Sequence, residues 1–249
     1  MPSRLRRNSS VRSVLALRAL WFAIVAPWRL KESTTGAAVA TFALAVLLGA
    51  FAAASTQMWE HSDAALNREG KQFAVVTGTS QVANEGGAIV PLDSAGRQFT
   101  ALLGNNLLVL VLSLLISTAV YMFLGRFLTN EKYTFQMALL CVSASTSIFI
   151  VGSVVASAIH LATHSMRFGV HAGAFVDPLQ SPFLFLFLQR IDTFSIWQAL
   201  ATGVGLTTWV GLDRRYGYVV GAVVWLTVLL VFFGVSSLIS WILAQGLAR

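Results

Sequence analysis

Five stretches of the sequence, each at least 19 residues long, contain no charged side chain. A helix of about 20 apolar residues, rising ~1.5 Å per residue, crosses the ~30 Å hydrocarbon core of a bilayer. These stretches are too long and too uniformly apolar for the short alternating strands of a membrane barrel. They predict five transmembrane helices, over residues 36–56, 104–125, 135–159, 194–212 and 216–245.

The composition agrees with this class of protein. Hydrophobic residues make up 56% of the chain and charged residues only 11%, whereas a soluble domain carries about 25% charged residues. A soluble globular domain and a disordered chain are therefore excluded. The single cysteine, Cys141, excludes an intramolecular disulfide. The predicted fold class is an all-α integral membrane protein with five spans.

Basic residues are divided unequally between the segments that flank the spans. Residues 1–35, 126–134 and 213–215 hold 11 basic and 3 acidic residues, net +8, and the other flanking segments have a net charge of −1. Because cytoplasmic loops carry the excess of Lys and Arg, this division predicts a cytoplasmic N-terminus and an external C-terminus. Arginine supplies 14 of the 17 basic residues, which is typical of GC-rich bacteria, so the expected location is a bacterial inner membrane.

Three segments outside the spans have patterns of their own. Residues 1–35 predict a basic amphipathic helix lying in the membrane interface, with Trp28 at the headgroups and Pro27 as a break. Residues 57–103 predict a small external domain, with a β-hairpin that pairs residues 71–77 with 88–92. Residues 160–193 form an external loop that contains three histidines and an apolar interfacial segment.

The histidine loop is the one place where the sequence offers metal ligands. His160 and His164 are spaced for one face of a helix, and with His171 and Asp177 they could supply imidazole and carboxylate ligands. The loop contains no His-Glu-x-x-His pattern, and histidines are common polar residues at span ends. We therefore predict no bound metal and no cofactor, with the three histidines as weak candidates.

The fourth span carries a stripe of polar and small residues. Ser195, Gln198, Thr202, Gly205 and Trp209 recur at steps of three and four, so the stripe should face other helices. It either packs against neighbours or lines a polar path. No span has a charged residue at mid-depth, which counts against an ion-coupled transporter.

Small residues mark two further helix faces and an acid marks a helix start. The third span presents a small-residue stripe of Ala138, Cys141, Ser145, Gly152 and Ala156, and Gly217-x-x-x-Gly221 opens the fifth span. Both patterns favour close helix packing. Asp192 precedes the fourth span, where a carboxylate would cap free backbone amides.

The C-terminal half resembles a known family. Asp192-x-Phe194-x-x-Trp197 followed by Gly205-Leu206, together with Pro27-Trp28-Arg29 before the first span, is similar to the bacterial branch of the Yip1 family of five-span membrane proteins. The resemblance covers residues 181–233 most specifically, and not the two long external loops. It implies an integral membrane protein whose eukaryotic relatives are linked to vesicle traffic and membrane shaping, and it implies no known catalytic residues.

Two functional hypotheses remain open on the sequence. The first is a non-enzymatic scaffold, membrane-organising protein or accessory subunit, whose partners are the lipid bilayer and a membrane protein or a second copy of the chain. The alternative is a transporter or channel component with a polar path along the fourth span. Nucleic acid is not an expected partner, because location at a membrane surface explains the basic charge.

Overall fold

The computed structural model describes residues 2–76, 92–177 and 179–247, and eight α-helices occupy most of them. Short 3-10 segments, Pro27–Glu32, Thr35–Ala37 and Ala172–Phe175, lie between them. The described residues contain no β-strand beyond an isolated bridge between His171 and Asp192. The helices are α1 (Pro2–Val25), α2 (Ala38–Ser62), α3 (Ala64–Val76), α4 (Leu92–Thr129), α5 (Phe135–Thr163), α6 (Pro182–Gln189), α7 (Thr193–Trp209) and α8 (Arg214–Leu247).

Four of these helices are long and apolar enough to cross a membrane: α2, α4, α5 and α8. The structure thus supports an all-α, membrane-embedded protein and does not confirm the fifth span. The fourth predicted span corresponds to α7, which has 17 residues and is about 25 Å long at ~1.5 Å per residue. That length is less than the ~30 Å of hydrocarbon that a perpendicular helix must cross.

Helix α5 is the centre of the bundle, with 67% of its most apolar window buried against 17–39% for the other three long helices. It packs against α1, α2, α4 and α7. Helices α2 and α5 run parallel, since Gly49 lies beside Ile150 and the C-terminal residues Glu60 and His160 are paired. The end of the bundle where α5 finishes is called the histidine end below, and the end where it starts is called the basic end.

The N-terminal helix belongs to the bundle and is not only a surface helix. Its buried face consists of small or apolar residues, while Leu17 and Trp21 are exposed. Ser147, about 18 Å along α5 from its start, donates a hydrogen bond to the Leu20 carbonyl at 2.9 Å. The expected break is present, because α1 ends at Val25 and Pro27 begins a 3-10 segment. Among residues 13–25, the part of α1 whose side chains the structure describes, the buried residues are Ala16, Ala19, Leu20, Phe22 and Ala23.

The predicted small external domain with a hairpin is not confirmed. Residues 57–62 extend α2, residues 64–76 form α3, and residues 92–103 belong to α4. The first predicted strand is therefore helical from Lys71 to Val76, and the second, residues 88–92, lies outside the described residues except for Leu92, which begins α4. The β-branched residues near position 75 suggested a strand, but they continue the helical periodicity of Ala64–Val76.

Candidate functional site

The polar stripe of α7 and the small-residue stripe of α5 face each other. Antiparallel packing places Thr202 against Ser145, with their hydroxyl oxygens 2.6 Å apart. One turn along, Gly205 lies against Cys141 and the side chain of Leu30, and a methyl group at Gly205 would be 3.2 Å from the Cys141 Sγ. Thr202 is 1% exposed. The two stripes therefore meet as a closed helix interface at these positions.

Helices α7 and α8 approach each other backbone to backbone. A methyl group at Gly203 would lie 2.6 Å from the Gly221 nitrogen and 2.9 Å from its Cα, and it would overlap the Gly217 carbonyl. A methyl group at Gly221 would lie 2.8 Å from the Leu200 Cα. Glycine is required at this crossing because no side-chain movement can relieve a clash with backbone. The Gly217-x-x-x-Gly221 pattern serves the helix packing that the sequence indicated.

A row of three carboxylates joins α2 and α3 to the end of α5 at the histidine end. Glu60 Oε1 lies 2.8 Å from His160 Nδ1, and Asp63 Oδ2 lies 2.7 Å from His164 Nδ1. Glu69 accepts hydrogen bonds from the backbone nitrogen of Met166 at 2.8 Å and from the Ser165 hydroxyl. We call Glu60, Asp63 and Glu69, with the groups they bind, the acidic clamp. It holds together segments about 100 residues apart in the chain.

The clamp residues Asp63, His160 and His164 differ in their hydrogen bonds and in their exposure. Asp63 also caps α3, accepting hydrogen bonds from the Ala65 and Leu66 amides at 2.9 and 3.0 Å. The Leu66 amide, followed by the His164 imidazole, holds the pKa of Asp63 below its usual range. The His160 side chain is only 9% exposed and its Nε2 has no hydrogen-bond partner, whereas the His164 side chain is 66% exposed.

The clamp is the part of the site that sequence reasoning missed. Glu60 and Asp63 are three residues apart at the end of α2, and His160 and His164 are four apart at the end of α5, spacings typical of residues that share one side of a helix. The signal was present, but it becomes readable only when α2 and α5 are known to run parallel.

Asp192 lies where the sequence predicts it, at the N-cap of α7. Its carboxylate accepts hydrogen bonds from the Phe194 and Ser195 amides at 2.9 and 2.8 Å. The backbone on either side is fixed by pairing with the histidine loop, since the Ala172 amide donates to the Ile191 carbonyl and the Thr193 amide to the Val170 carbonyl. Phe194 fills the space beside Gly152 of α5.

His171 lies apart from the clamp, next to this N-cap. Its ring fits between two glycines. A methyl group at Gly169 would lie 2.5 Å from the ring Cδ2, and one at Gly173 would lie 2.9 Å from Nδ1, so both would be too close to the ring. Both ring nitrogens are buried without a hydrogen-bond partner. Burial lowers the pKa of His171, the charge of His160 lowers it further, and Asp192 opposes the shift. A cavity of about 320 Å³ adjoins the ring, lined also by Val170, Phe175, Asp192 and Ile196.

The three histidines have separate roles in the structure. His160 and His164 are each paired with a carboxylate, and His171 packs edge-on against Phe185, with ring centroids 5.9 Å apart. The Asp177 carboxylate accepts hydrogen bonds from the Leu179 and Gln180 amides. Among the residues that the structure describes, no three His, Cys, Asp or Glu side chains are grouped so that they could hold a metal ion.

Three further residues that the sequence singled out, Trp197, Gln198 and Trp28, are at least partly exposed. Trp197 is 45% exposed on the outer face of α7, and Gln198 is partly buried, its carbonyl accepting a hydrogen bond from Thr202. Trp28 is 38% exposed at the basic end, where the Arg214 guanidinium carbon lies 5.6 Å from its ring centroid. This contact brings the 3-10 segment Pro27–Glu32 and the turn before α8 to the same end of the bundle.

The cap at Asp192 leads to a graded mutational prediction. Asp192→Ala should lower stability by about 0.5–2 kcal/mol, because the two amides lose their acceptor. Asp192→Asn and Asp192→Ser should be nearly silent, since Asn and Ser also cap helices. Thermal unfolding in detergent measures the three variants. A large loss of stability in Asp192→Asn would show that the negative charge, and not the cap, is what α7 requires.

Searches of family models, of curated proteins and of solved structures find no match for this chain. The class of this protein is assigned from its fold and from the contacts described above. The chain is an all-α, membrane-embedded helical bundle whose polar side chains join its helices to one another.

Proposed function

We propose that this chain is a non-enzymatic membrane-organising or accessory protein of the Yip1 type, with a bundle of five spans that conducts no solute. The observation that carries the proposal is the use of the α7 stripe in helix packing. Thr202 is buried against Ser145, and Leu30 and Cys141 cover Gly205. Thr202 and Gly205 of the stripe are thus occupied by contacts with other elements and are not open to a substrate.

Further contacts between helices support the same interpretation. The Tyr121 hydroxyl of α4 donates to the Ala199 carbonyl of α7 at 3.1 Å, and Asn106 of α4 donates to Gln57 of α2 at 3.0 Å. Interhelical hydrogen bonds of this kind contribute about 0.6 kcal/mol each in membrane proteins. The cavity beside His171 is not lined by Gln198 or Thr202, so it does not open onto the stripe.

The proposed orientation places the basic end in the cytoplasm and the histidine end outside. It is supported by the contact of Arg214 with Trp28, which gathers basic segments distant in the chain at one end. With α7 counted as a short fifth span, the turn Pro27–Glu32 before α2 is cytoplasmic and the C-terminus external. The expected location is a bacterial inner membrane, with a membrane protein or a second copy of the chain as partner.

One labelling experiment tests both the closed bundle and the orientation. Single cysteines replace Thr202, His164 or Arg214 in a Cys141→Ala background, and intact cells are treated with a membrane-impermeant thiol reagent. His164→Cys should be labelled in intact cells and Arg214→Cys only after lysis. Thr202→Cys should stay unlabelled until the protein is denatured.

The Thr202→Cys and Arg214→Cys variants each have a contradicting outcome. Labelling of Thr202→Cys in the native protein would reveal water at the stripe and favour the transporter or channel alternative. External labelling of Arg214→Cys would reverse the proposed orientation without reopening the bundle. His164→Cys acts as the positive control for the exposed histidine end, since its side chain is 66% exposed.

A further inference from the structure

The basic end carries an exposed cationic surface built on an anchored turn. The turn is the 3-10 segment Pro27–Glu32, and Leu30 at its centre is fully buried against Gly205 of α7. Arg214, the first residue of α8, has its guanidinium 5.6 Å from the ring centroid of Trp28. Trp28, Lys31, Arg214 and Arg215 are called the basic platform below. Because Leu30 fixes the turn to the helices, the platform has a defined place at the edge of the bundle.

The cations of the platform are not neutralised by the protein. The one carboxylate on the turn, Glu32, is bound by Arg29 at 2.8 Å and by Arg18 at 3.1 Å. The neighbouring carboxylate, Asp213, accepts a hydrogen bond from the backbone nitrogen of Arg215. Within the described residues Lys31, Arg214 and Arg215 form no ion pair, and all three are exposed. Three positive charges, beside the single negative charge of Asp213, are therefore available to a ligand.

We propose that the basic platform binds the phosphate headgroup of an anionic phospholipid. The platform lies at the ends of apolar helices, where the hydrocarbon gives way to headgroups, and tryptophan favours this depth. A guanidinium offers two parallel N–H donors that match a phosphate. The Trp28 ring beside Arg214 supplies an apolar face for the glycerol and upper acyl chain. The site is separate from the proposed function, because a scaffold and a transporter could carry it equally.

The test compares two arginine pairs of equal charge at opposite ends of the bundle. The protein is purified in a neutral detergent, and native mass spectrometry measures the binding of phosphatidylglycerol and phosphatidylcholine. Each platform arginine should contribute about fivefold to the affinity for the anionic lipid, so Arg214→Gln/Arg215→Gln should lose about 25-fold. The matched control is Arg68→Gln/Arg97→Gln, with both side chains exposed and distant from the platform.

The control pair should retain the affinity of the unmodified chain for phosphatidylglycerol. Equal losses in both variants would overturn the proposal, because they would reflect net charge and not a site. Equal binding of the two lipids to the unmodified chain would overturn it as well. Inorganic phosphate at millimolar concentration should not displace the lipid, and displacement would assign the platform to free anions instead. Thermal unfolding of both variants confirms that the exposed substitutions leave the bundle folded.

Discussion

Gly203→Ala should destabilise the bundle by about 1–3 kcal/mol, although alanine is the better helix former. The added methyl group would lie 2.6 Å from the Gly221 nitrogen and 2.9 Å from the Gly221 Cα, and backbone cannot move aside as a side chain can. The helices α7 and α8 would have to separate along their crossing. Thermal unfolding in detergent, followed by size-exclusion chromatography of the heated sample, measures the loss.

Gly104→Ala is the matched control for this substitution. Gly104 is also a helical glycine, and a methyl group there meets nothing within 4 Å. Its substitution should be neutral or stabilising by up to about 1 kcal/mol, because alanine loses less backbone freedom than glycine. The two variants are thus expected to shift stability in opposite directions. A Gly203→Ala protein as stable as Gly104→Ala would mean that the helices are farther apart than the structure shows.

Glu60→Ala should cost about 1–3 kcal/mol, because it leaves a buried imidazole with neither ring nitrogen paired. The Nε2 of His160 already lacks a partner, and Glu60 holds the Nδ1 at 2.8 Å. His164→Asn removes the other pair of the clamp and should cost less than about 1 kcal/mol, since the His164 side chain is 66% exposed. Asparagine also tolerates the left-handed backbone at this position, where φ is 50°.

A double-mutant cycle separates the pair from its surroundings. Glu60→Ala/His160→Ala removes both partners, so its loss of stability should be smaller than the sum of the two single losses. Thermal unfolding of the four proteins gives the coupling between Glu60 and His160. Additive losses would show that the contact contributes nothing beyond the packing of each residue.

The structural features that depend on the sequence of a single helix could be predicted: its length, its cap and its polar or small-residue face. The uncharged runs predicted the long helices α2, α4, α5 and α8, because lipid tolerates no charge over that length. Asp192 was identified as a cap because a helix start needs an acceptor within three residues. The stripes on the third and fourth spans predicted the faces that carry Thr202 and Ser145.

What escaped prediction depends on relations between distant segments. The acidic clamp requires α2 and α5 to be neighbours and parallel, and no local pattern states this. The N-terminal helix was expected at the membrane surface because arginines interrupt its apolar residues, as in a basic amphipathic helix. The structure instead buries the alanine face, since small residues allow α1 to approach α5 closely. Residues 71–77 were predicted as a strand from their local β-propensity. That propensity is a weak signal beside helical context, and Lys71–Val76 is helical.

Two contacts between helices of the bundle differ greatly in their separation along the chain. Gly203 meets Gly217 and Gly221 across a single short turn, whereas Glu60 and His160 are 100 residues apart. Contacts between near neighbours in sequence cost little loop entropy and form early, and distant ones form late. Helices α7 and α8 therefore constitute a hairpin able to assemble as soon as both have entered the bilayer. Closure of the acidic clamp, which needs α2, α3 and α5 together, closes a loop of about 100 residues and carries the larger cost in loop entropy.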